Sequence, residues 1–502
     1  MNNNILLISC SFEDISLITY SKTEKTSFKT TDESHYPIGL AYIHSYLESK
    51  NYKVTTLFLN HYNYESCFKQ IIESVEKKTP YIIGFQILTP NRVSTYNIIE
   101  YFHSNYPEIH LIIGGIHSTI MYHQLLTKYP FLIVVLGEGE LTFEELANKL
   151  SLTHTSLDSI KGIAYFNNNM VKVTPSRHLI KDLDILPFPK HSIFFTNNRI
   201  SGCIITSRGC PFHCTFCCLE SISNRRVRYR SIDNIIMEIE SLVNNYPQLK
   251  EIWIHDDSFF LDNNRVISFC NEIIKKKINV EFVCSGRVKP ISKNMIFKLE
   301  QANFKKVMLG LESGDKNILK NTKKGISLDD TINAVKLFHS SSIMLHIFLI
   351  IGLPGETEQT IKNTIKFIKK LQKIKYIYYG EDLAILTVYP GTEIYELTKQ
   401  SCDIADDFWL SNKPVPLYTS ENSIKKLFQF KEKMLIHLSI NRLTTWKGFL
   451  AQFNMIPYIY LYTRKNYSDF NLLRALIILF TPSFIYNYLK KKIYKSRNRT
   501  NS

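Results

Sequence analysis

The chain has 502 residues, room for two to four domains that each bury a core. Hydrophobic residues make up 44% and charged residues 21%, a balance that excludes a disordered chain. Lysine and arginine exceed the acids by 16, and ten cysteines at this length are too sparse for a disulfide-stapled secreted fold.

Residues 1–150 alternate short apolar runs with helical periodicity. Strands are expected over residues 5–8, 53–59, 81–88, 110–115 and 131–136, and helices over 39–50, 67–78 and 93–105. This alternation predicts a doubly wound, mostly parallel sheet whose ligand sits beyond the strand carboxyl ends. Two of those ends carry Gly114-Gly-Ile-His117 and Gly137-Glu-Gly-Glu140. Glycine there either admits a close ligand or punctuates a tight turn, and both readings stay open. No signal peptide is expected, because the start lacks a positive segment and its apolar run is short. Residues 151–200 read as a connector, with a hairpin around Asn167-Asn-Asn169 and a break at Leu186-Pro-Phe-Pro189.

From residue 201 to 400 the alternation resumes. Strands are expected over 203–206, 251–257, 280–285, 306–312, 344–351 and 383–388, with helices between them. Ser231 is placed to cap one helix, and Ser327 with Asp330 to form a capping box for another. Six βα units predict a barrel or partial barrel with its chemistry on the carboxyl-end loops. Residues 401–502 are expected to be an α-rich accessory region able to close the barrel mouth. Within it, residues 472–489 are apolar over about the length of a membrane span. Arg474 and Pro482 interrupt that run, so a buried or interfacial helix with peripheral membrane contact is expected instead. Basic clusters at Lys490 to Arg499 and at Arg225, Arg226, Arg228 and Arg230 read as solvated, or as brushing an anionic surface.

The most specific stretch hangs from the first strand of the second alternation. Cys210, Cys214 and Cys217 stand at C-x3-C-x2-C spacing, with Phe216 before the third. An iron–sulfur cubane normally takes four thiolates, so three leave one iron open, as a catalytic centre requires. A zinc site is the alternative, with Cys218, His213 or Cys203 as the fourth ligand. Other candidates follow the remaining strands. Asp256 and Asp257 offer acceptors for an amine, or caps for a helix. Ser285 offers a hydroxyl, and Arg287 a fork for a carboxylate or a partner for an ion pair. Glycine turns at Gly310-Leu-Glu-Ser-Gly314, Gly352-Leu-Pro-Gly-Glu356 and Tyr389-Pro-Gly-Thr392 complete the set.

C-x3-C-x-Phe-C resembles the signature of the radical S-adenosylmethionine (SAM) superfamily, and the loops after the later strands resemble that family's in order. Pro37-Ile-Gly-Leu-Ala-Tyr42, Gly114-Gly-Ile-His117 and Gly137-Glu-Gly-Glu-Leu-Thr-Phe143 are similar to the N-terminal cobalamin-binding domain of many such enzymes. The resemblance implies an α/β chain with a Rossmann-like cobalamin-binding domain, a radical SAM partial TIM barrel and an α-rich C-terminal region. It implies a 4Fe–4S cluster on Cys210, Cys214 and Cys217, with SAM chelating the open iron. SAM would lie near Phe216, Asp256, Asp257, Ser285, Arg287, Glu312, Ser313 and Gly352. Cobalamin would lie near Gly114, Gly115, His117, Gly137 and Glu138. The Asp-x-His-x-x-Gly motif of cobalamin mutases is missing after the first strand, and His35 has the wrong spacing. Cobalamin would therefore lack that histidine as lower ligand, as in many relatives, or the domain has lost cobalamin altogether. The implied function is generation of a 5′-deoxyadenosyl radical and methylation of an unactivated carbon on a small or lipophilic substrate. An oxidative cyclase, as in the anaerobic magnesium-protoporphyrin ester cyclases, is the alternative. Relatives that thiomethylate tRNA carry three further N-terminal cysteines, whereas only Cys10 and Cys67 precede residue 200, so no nucleic-acid partner is expected. A flavodoxin or ferredoxin is expected as electron donor, in the cytoplasm, where free thiols persist.

Overall fold

The computed structural model describes residues 3–12, 36–152, 156–195, 199–378, 383–401 and 404–443. The chain divides into two compact units, one of residues 1–307 with 387–420, the other of residues 308–386 with 421–502.

In the first unit, β1 (Asn4–Ser9), β2 (Lys53–Phe58), β3 (Ile82–Gln86), β4 (His110–Gly114) and β5 (Ile133–Val135) pair in parallel in the order β2-β1-β3-β4-β5. The helices α1 (Ile38–Ser49), α2 (Tyr64–Lys78), α3 (Arg92–Asn105), α4 (Ile116–Lys128) and α5 (Glu140–Leu150) alternate with them. The order reverses at β1 and β3, which opens a crevice at their carboxyl ends. Strands β1, β3, β4 and β5 are near-continuous Ile, Leu and Val because both faces are covered. Leu7, Leu47, Ile112, Phe143 and Leu146 fill one of these faces.

The expected hairpin forms, as β6 (Ile163–Asn167) and β7 (Met170–Val173), with Asn168 and Asn169 at positive φ. It does not stand apart in a connector. β6 pairs antiparallel with β5 and extends the sheet to seven strands. The rest of the connector is packed too, with Leu183, Leu186 and Phe194 joining Tyr36, Tyr42 and Cys203 in one apolar cluster.

The second alternation begins in this unit with β8 (Ser201–Ile204). A short ribbon, β9 (Ser207–Arg208) and β10 (Arg228–Tyr229), brackets the cysteine loop and a single turn, α6 (Glu220–Ser223). Then follow α7 (Ile232–Asn245), β11 (Glu251–Ile254), α8 (Asn263–Lys275), β12 (Glu281–Gly286) and α9 (Lys293–Gln301). β8, β11 and β12 are parallel neighbours. Ser231 caps α7 by accepting the Asn234 N–H at 3.1 Å. β13 (Phe304–Glu312) begins in this unit and ends in the next.

The second unit continues with α10 (Lys316–Asn321), α11 (Leu328–Leu337), β14 (Met344–Ile351), α12 (Glu358–Gln372), β15 (Ile377–Tyr378) and β16 (Ala384–Ile385). β14 pairs in parallel with β15 and β16. The capping box of α11 is present, with Ser327 and Asp330 exchanging hydrogen bonds of 2.7 and 3.0 Å.

α13 (Glu393–Ser401) ends the range expected for the barrel; of the expected accessory region, residues 404–443 are described, with α14 (Ile424–Leu443), and residues 444–502, with the apolar run at 472–489 and the basic tail, lie outside the described residues. So does His35. The segment around Trp409 packs against the N-terminal sheet domain. Trp409 is fully buried edge-on to His117, and Gln124 on α4 donates to Asp406 at 3.1 Å. Among the described residues no helix is long and apolar enough to cross a membrane.

Candidate functional site

The cysteine loop leaves β9 and returns at β10, and its shape is fixed by the residues before it. Asp256, just past β11, is 5% exposed and accepts from the backbone N–H groups of Thr206 at 2.6 Å and Ser207 at 3.1 Å, and from both their hydroxyls. Burial still pushes its carboxyl above the usual range, against the lowering effect of these hydrogen bonds. Asp257 accepts from the Gly209 N–H at 2.8 Å. Both carboxylates thus hold the start of the loop, and Asp256 has its oxygens committed to that task. Gly209 has φ +95°, and a Cβ there would meet the Arg226 carbonyl oxygen at 2.0 Å. Only glycine lets the two legs of the loop come this close.

Cys210, Cys214 and Cys217 are half-buried free thiols on this loop, and Phe216 is half-buried beside them. Burial raises the Cys217 thiol to about 12. Among the described residues no group of three His, Cys, Asp or Glu side chains is gathered to hold a metal ion, so the trio's ligand role rests on its spacing. Of the candidate fourth zinc ligands, Cys203 is buried in β8 and His213 is exposed. Arg287, just beyond β12, is buried, lies 3.6 Å over the Phe212 ring and points Nη1 at the Cys214 sulfur at 3.7 Å. Ser285 is half-buried on the same strand.

The crevice of the N-terminal sheet opens into a cavity of about 250 Å³. Leu7, Leu40, Ile43, Phe85, Val135 and Phe143 give it apolar walls. Gly114, Gly115, Gly137 and Glu138 line it as well. A Cβ at Gly39 or Gly137 would have no neighbour within 4 Å, so both open onto space. An apolar cleft at a sheet switch point is where a doubly wound fold takes its ligand. His117 is not on its wall. It is 1% exposed at the start of α4, with Nδ1 3.1 Å from the Thr89 hydroxyl and Nε2 3.0 Å from the Tyr96 hydroxyl. Both ring nitrogens are engaged, and burial, aided by the Arg92 charge, holds its pKa at about 3.

Two of the arginines expected to be solvated are not. Arg228 donates to both Glu138 oxygens at 2.9 and 2.8 Å, and Arg230 is buried against Glu238. Glu238 also meets His191, whose other nitrogen is 2.8 Å from the Tyr36 hydroxyl. Sequence reasoning passed over Arg208 and Glu140, which pair at 2.7 Å, although Glu140 sits inside the Gly137-Glu-Gly-Glu140 turn it singled out.

In the second unit, Glu312 ends β13 at φ +71°, a strained setting for a non-glycine residue. Its carboxylate accepts from Lys324 at 2.8 Å, and Gly310 makes room, since a Cβ there would stand 2.7 Å from both groups. The Ser313 hydroxyl lies 3.3 Å from that of Thr364 and receives the Asp315 N–H at 3.2 Å. Gly352 donates its N–H to the buried Glu356, whose pKa burial raises to about 8.

The profile of the Radical SAM superfamily matches residues 204–368, and that of the B12 binding domain matches residues 26–147. An uncharacterized methyltransferase of Pyrococcus horikoshii is 29% identical over 428 residues, covering 84% of this chain and 90% of its own. The anaerobic magnesium-protoporphyrin IX monomethyl ester cyclase of Rubrivivax gelatinosus is 27% identical over 74% of this chain and 67% of its own. Among solved structures, the radical SAM methyltransferase TsrM of Kitasatospora setae, with cobalamin and a 4Fe–4S cluster bound, superposes with a TM-score of 0.64 at 18% identity, over 80% of this chain and 78% of its own. A cysteine loop on a parallel sheet, preceded by a doubly wound domain with an open switch-point cavity, agrees with both profiles: the chain carries a B12-binding domain followed by a radical SAM domain.

Proposed function

We propose that the protein is a cobalamin-dependent radical SAM methyltransferase acting on an unactivated carbon of a small or lipophilic molecule. The observation that carries this reading is the apolar cavity with Glu138 on its wall, because Glu138 is hydrogen-bonded to both strands that bracket the three-cysteine loop. Cys210, Cys214 and Cys217 would hold three irons of a 4Fe–4S cluster and leave the fourth to SAM. When bound, cluster and SAM supply a one-electron cleavage to methionine and a 5′-deoxyadenosyl radical, and cobalamin supplies a methyl group.

The chain's own residues bind and orient. Arg287 packs between the Phe212 ring and the Cys214 sulfur and holds that part of the loop, and Asp256 anchors the start of the loop rather than meeting SAM. Asp257, with its second oxygen, and Ser285 remain for the polar groups of SAM, with Phe216 for its adenine. Glu312, Ser313 and Gly352 are assigned to SAM on the family's pattern. Gly114, Gly115, Gly137 and Glu138 are assigned to cobalamin, and His117, engaged at both nitrogens, is removed from that set. A flavodoxin or ferredoxin would deliver the electron.

The cyclase relative favours a second reading, oxidation or ring closure of the substrate. Reaction of the anaerobically reconstituted, cobalamin-loaded protein with methyl-labelled SAM separates the two. Label and one added methyl mass in the product support methyl transfer, and an unlabelled product that has lost hydrogen or gained oxygen supports the cyclase. S-adenosylhomocysteine that never forms under any substrate would end the methyltransferase reading.

A further inference from the structure

Glu138 sits between Gly137 and Gly139 on the wall of the cavity, yet its side chain reaches the other cofactor's loop. Arg208, two residues ahead of Cys210, donates to Glu138 at 3.0 Å and to Glu140 at 2.7 Å. Arg228, directly across the β9–β10 ribbon from Arg208, donates to both oxygens of Glu138. The Ile180 N–H supplies a further bond to Glu138 at 2.9 Å, and the Ile180 carbonyl receives Arg228 at 2.8 Å. These side chains are nearly enclosed, at 14% exposure for Glu138, 4% for Glu140, 18% for Arg208 and 11% for Arg228. Burial alone would raise the Glu138 pKa, but the Arg228 hydrogen bond and the Arg208 charge bring it below the usual range, so the carboxylate stays ionised.

We propose that Glu138 is a positioning residue that clamps both legs of the cysteine loop to the turn lining the cobalamin cavity, so that occupation of the cavity and SAM binding at the cluster are coupled. This rests on the reading that the cavity takes cobalamin. A carboxylate that shares one turn with a ligand and both ends of a second ligand's loop has a different best position when the cavity is filled. By linkage, each ligand then changes the other's affinity by the same factor. The glycines either side of Glu138 allow that turn to shift at low cost.

The test is a SAM titration of the reduced, iron–sulfur-reconstituted full chain, followed by the electron paramagnetic resonance of the cluster, with and without hydroxocobalamin. In wild type, cobalamin changes the apparent SAM affinity by about tenfold, within the usual range of two-site coupling. Glu138→Gln keeps the size of the side chain and removes the charge. It abolishes most of that factor and shifts the cluster resonance even without cobalamin. Arg228→Gln does the same, and the double variant does no worse than either single one. Glu145→Gln, which breaks a different ion pair of the same domain, keeps the wild-type factor. An unchanged factor in Glu138→Gln, or a bound cobalamin that leaves wild-type SAM affinity untouched, overturns the clamp. Should the visible spectrum show that wild type binds no cobalamin, the cavity reading falls. The cobalamin-free arm then decides the clamp alone: an unshifted resonance and unchanged SAM affinity in Glu138→Gln overturn it. If Glu138→Gln takes up no iron, Glu140→Gln, which loosens one leg only, carries the same comparison.

Discussion

Asp256 receives the backbone N–H of Thr206 at 2.6 Å across fifty residues of sequence, and this bond starts the cysteine loop in the right direction. Replacing Asp256 by Ala leaves the Thr206 and Ser207 donors unmade in a buried place, at a cost of roughly 1–3 kcal/mol for each. The expected outcome is a lower urea midpoint together with iron incorporation well below wild type. Asn, which restores one acceptor oxygen, recovers part of both. A variant with full iron content and unchanged stability would remove the anchor role.

Gly39 lies in the first turn of α1 with open space where a side chain would stand. Gly39→Leu should fill part of the cavity and, as a better helix former, gain up to about 1 kcal/mol of stability. The protein is therefore expected to melt higher and to lose hydroxocobalamin from its visible spectrum. Retained cobalamin with the leucine in place would show that the ligand sits elsewhere.

His117 gives a pH dependence. Its folded pKa of about 3 lies below the ordinary 6.5, so the unfolded chain takes up the proton first. Stability from the neutral ring is complete above pH 6.5 and falls as pH drops from there towards 3. Between pH 6.5 and 5 this one group removes about 2 kcal/mol. His117→Asn should flatten that slope in urea unfolding, at some cost at pH 7, and an unaltered slope would contradict the burial assigned to the ring.

Glu356 runs the other way. With a folded pKa of about 8 against the usual 4.5, it is mostly protonated in the folded protein at pH 7. Its contribution to stability is full below pH 4.5 and is lost as pH rises through 8. Glu356→Gln keeps an acceptor for the Gly352 N–H. It should be nearly neutral at low pH and more stable than wild type above pH 8, by up to about 5 kcal/mol. Equal stability of the two proteins at pH 9 would refute it.

What could be read from the residues was local or periodic. Ser231, Ser327 and Asp330 announced their helices because each bond spans three residues. Strands such as Ile82–Gln86 were visible because burial on both faces leaves an unbroken apolar run. The cysteine spacing was legible because the ligands lie on one short loop. The pairs that organise that loop were not. Arg208 and Glu138 are 70 residues apart, and Arg228 and Glu138 are 90 apart, so a sequence shows only a charge cluster and a glycine turn. From the sequence Asp256 reads as an acceptor for an amine or as a helix cap, since its partners at 206 and 207 cannot be inferred from spacing. Hairpin β6–β7 was recognised by its Asn turn, but nothing in its own residues says which sheet edge it joins.

The most direct measurement of the central claim is the yield of 5′-deoxyadenosine from SAM by the anaerobically reconstituted, reduced protein, compared with the same protein carrying Cys210→Ala, Cys214→Ala and Cys217→Ala. Wild type is expected to release 5′-deoxyadenosine and methionine in equal amounts, with none from the triple variant. A wild-type protein that takes up iron and sulfide yet leaves SAM intact, or a triple variant that cleaves it as fast, would contradict the open-iron centre.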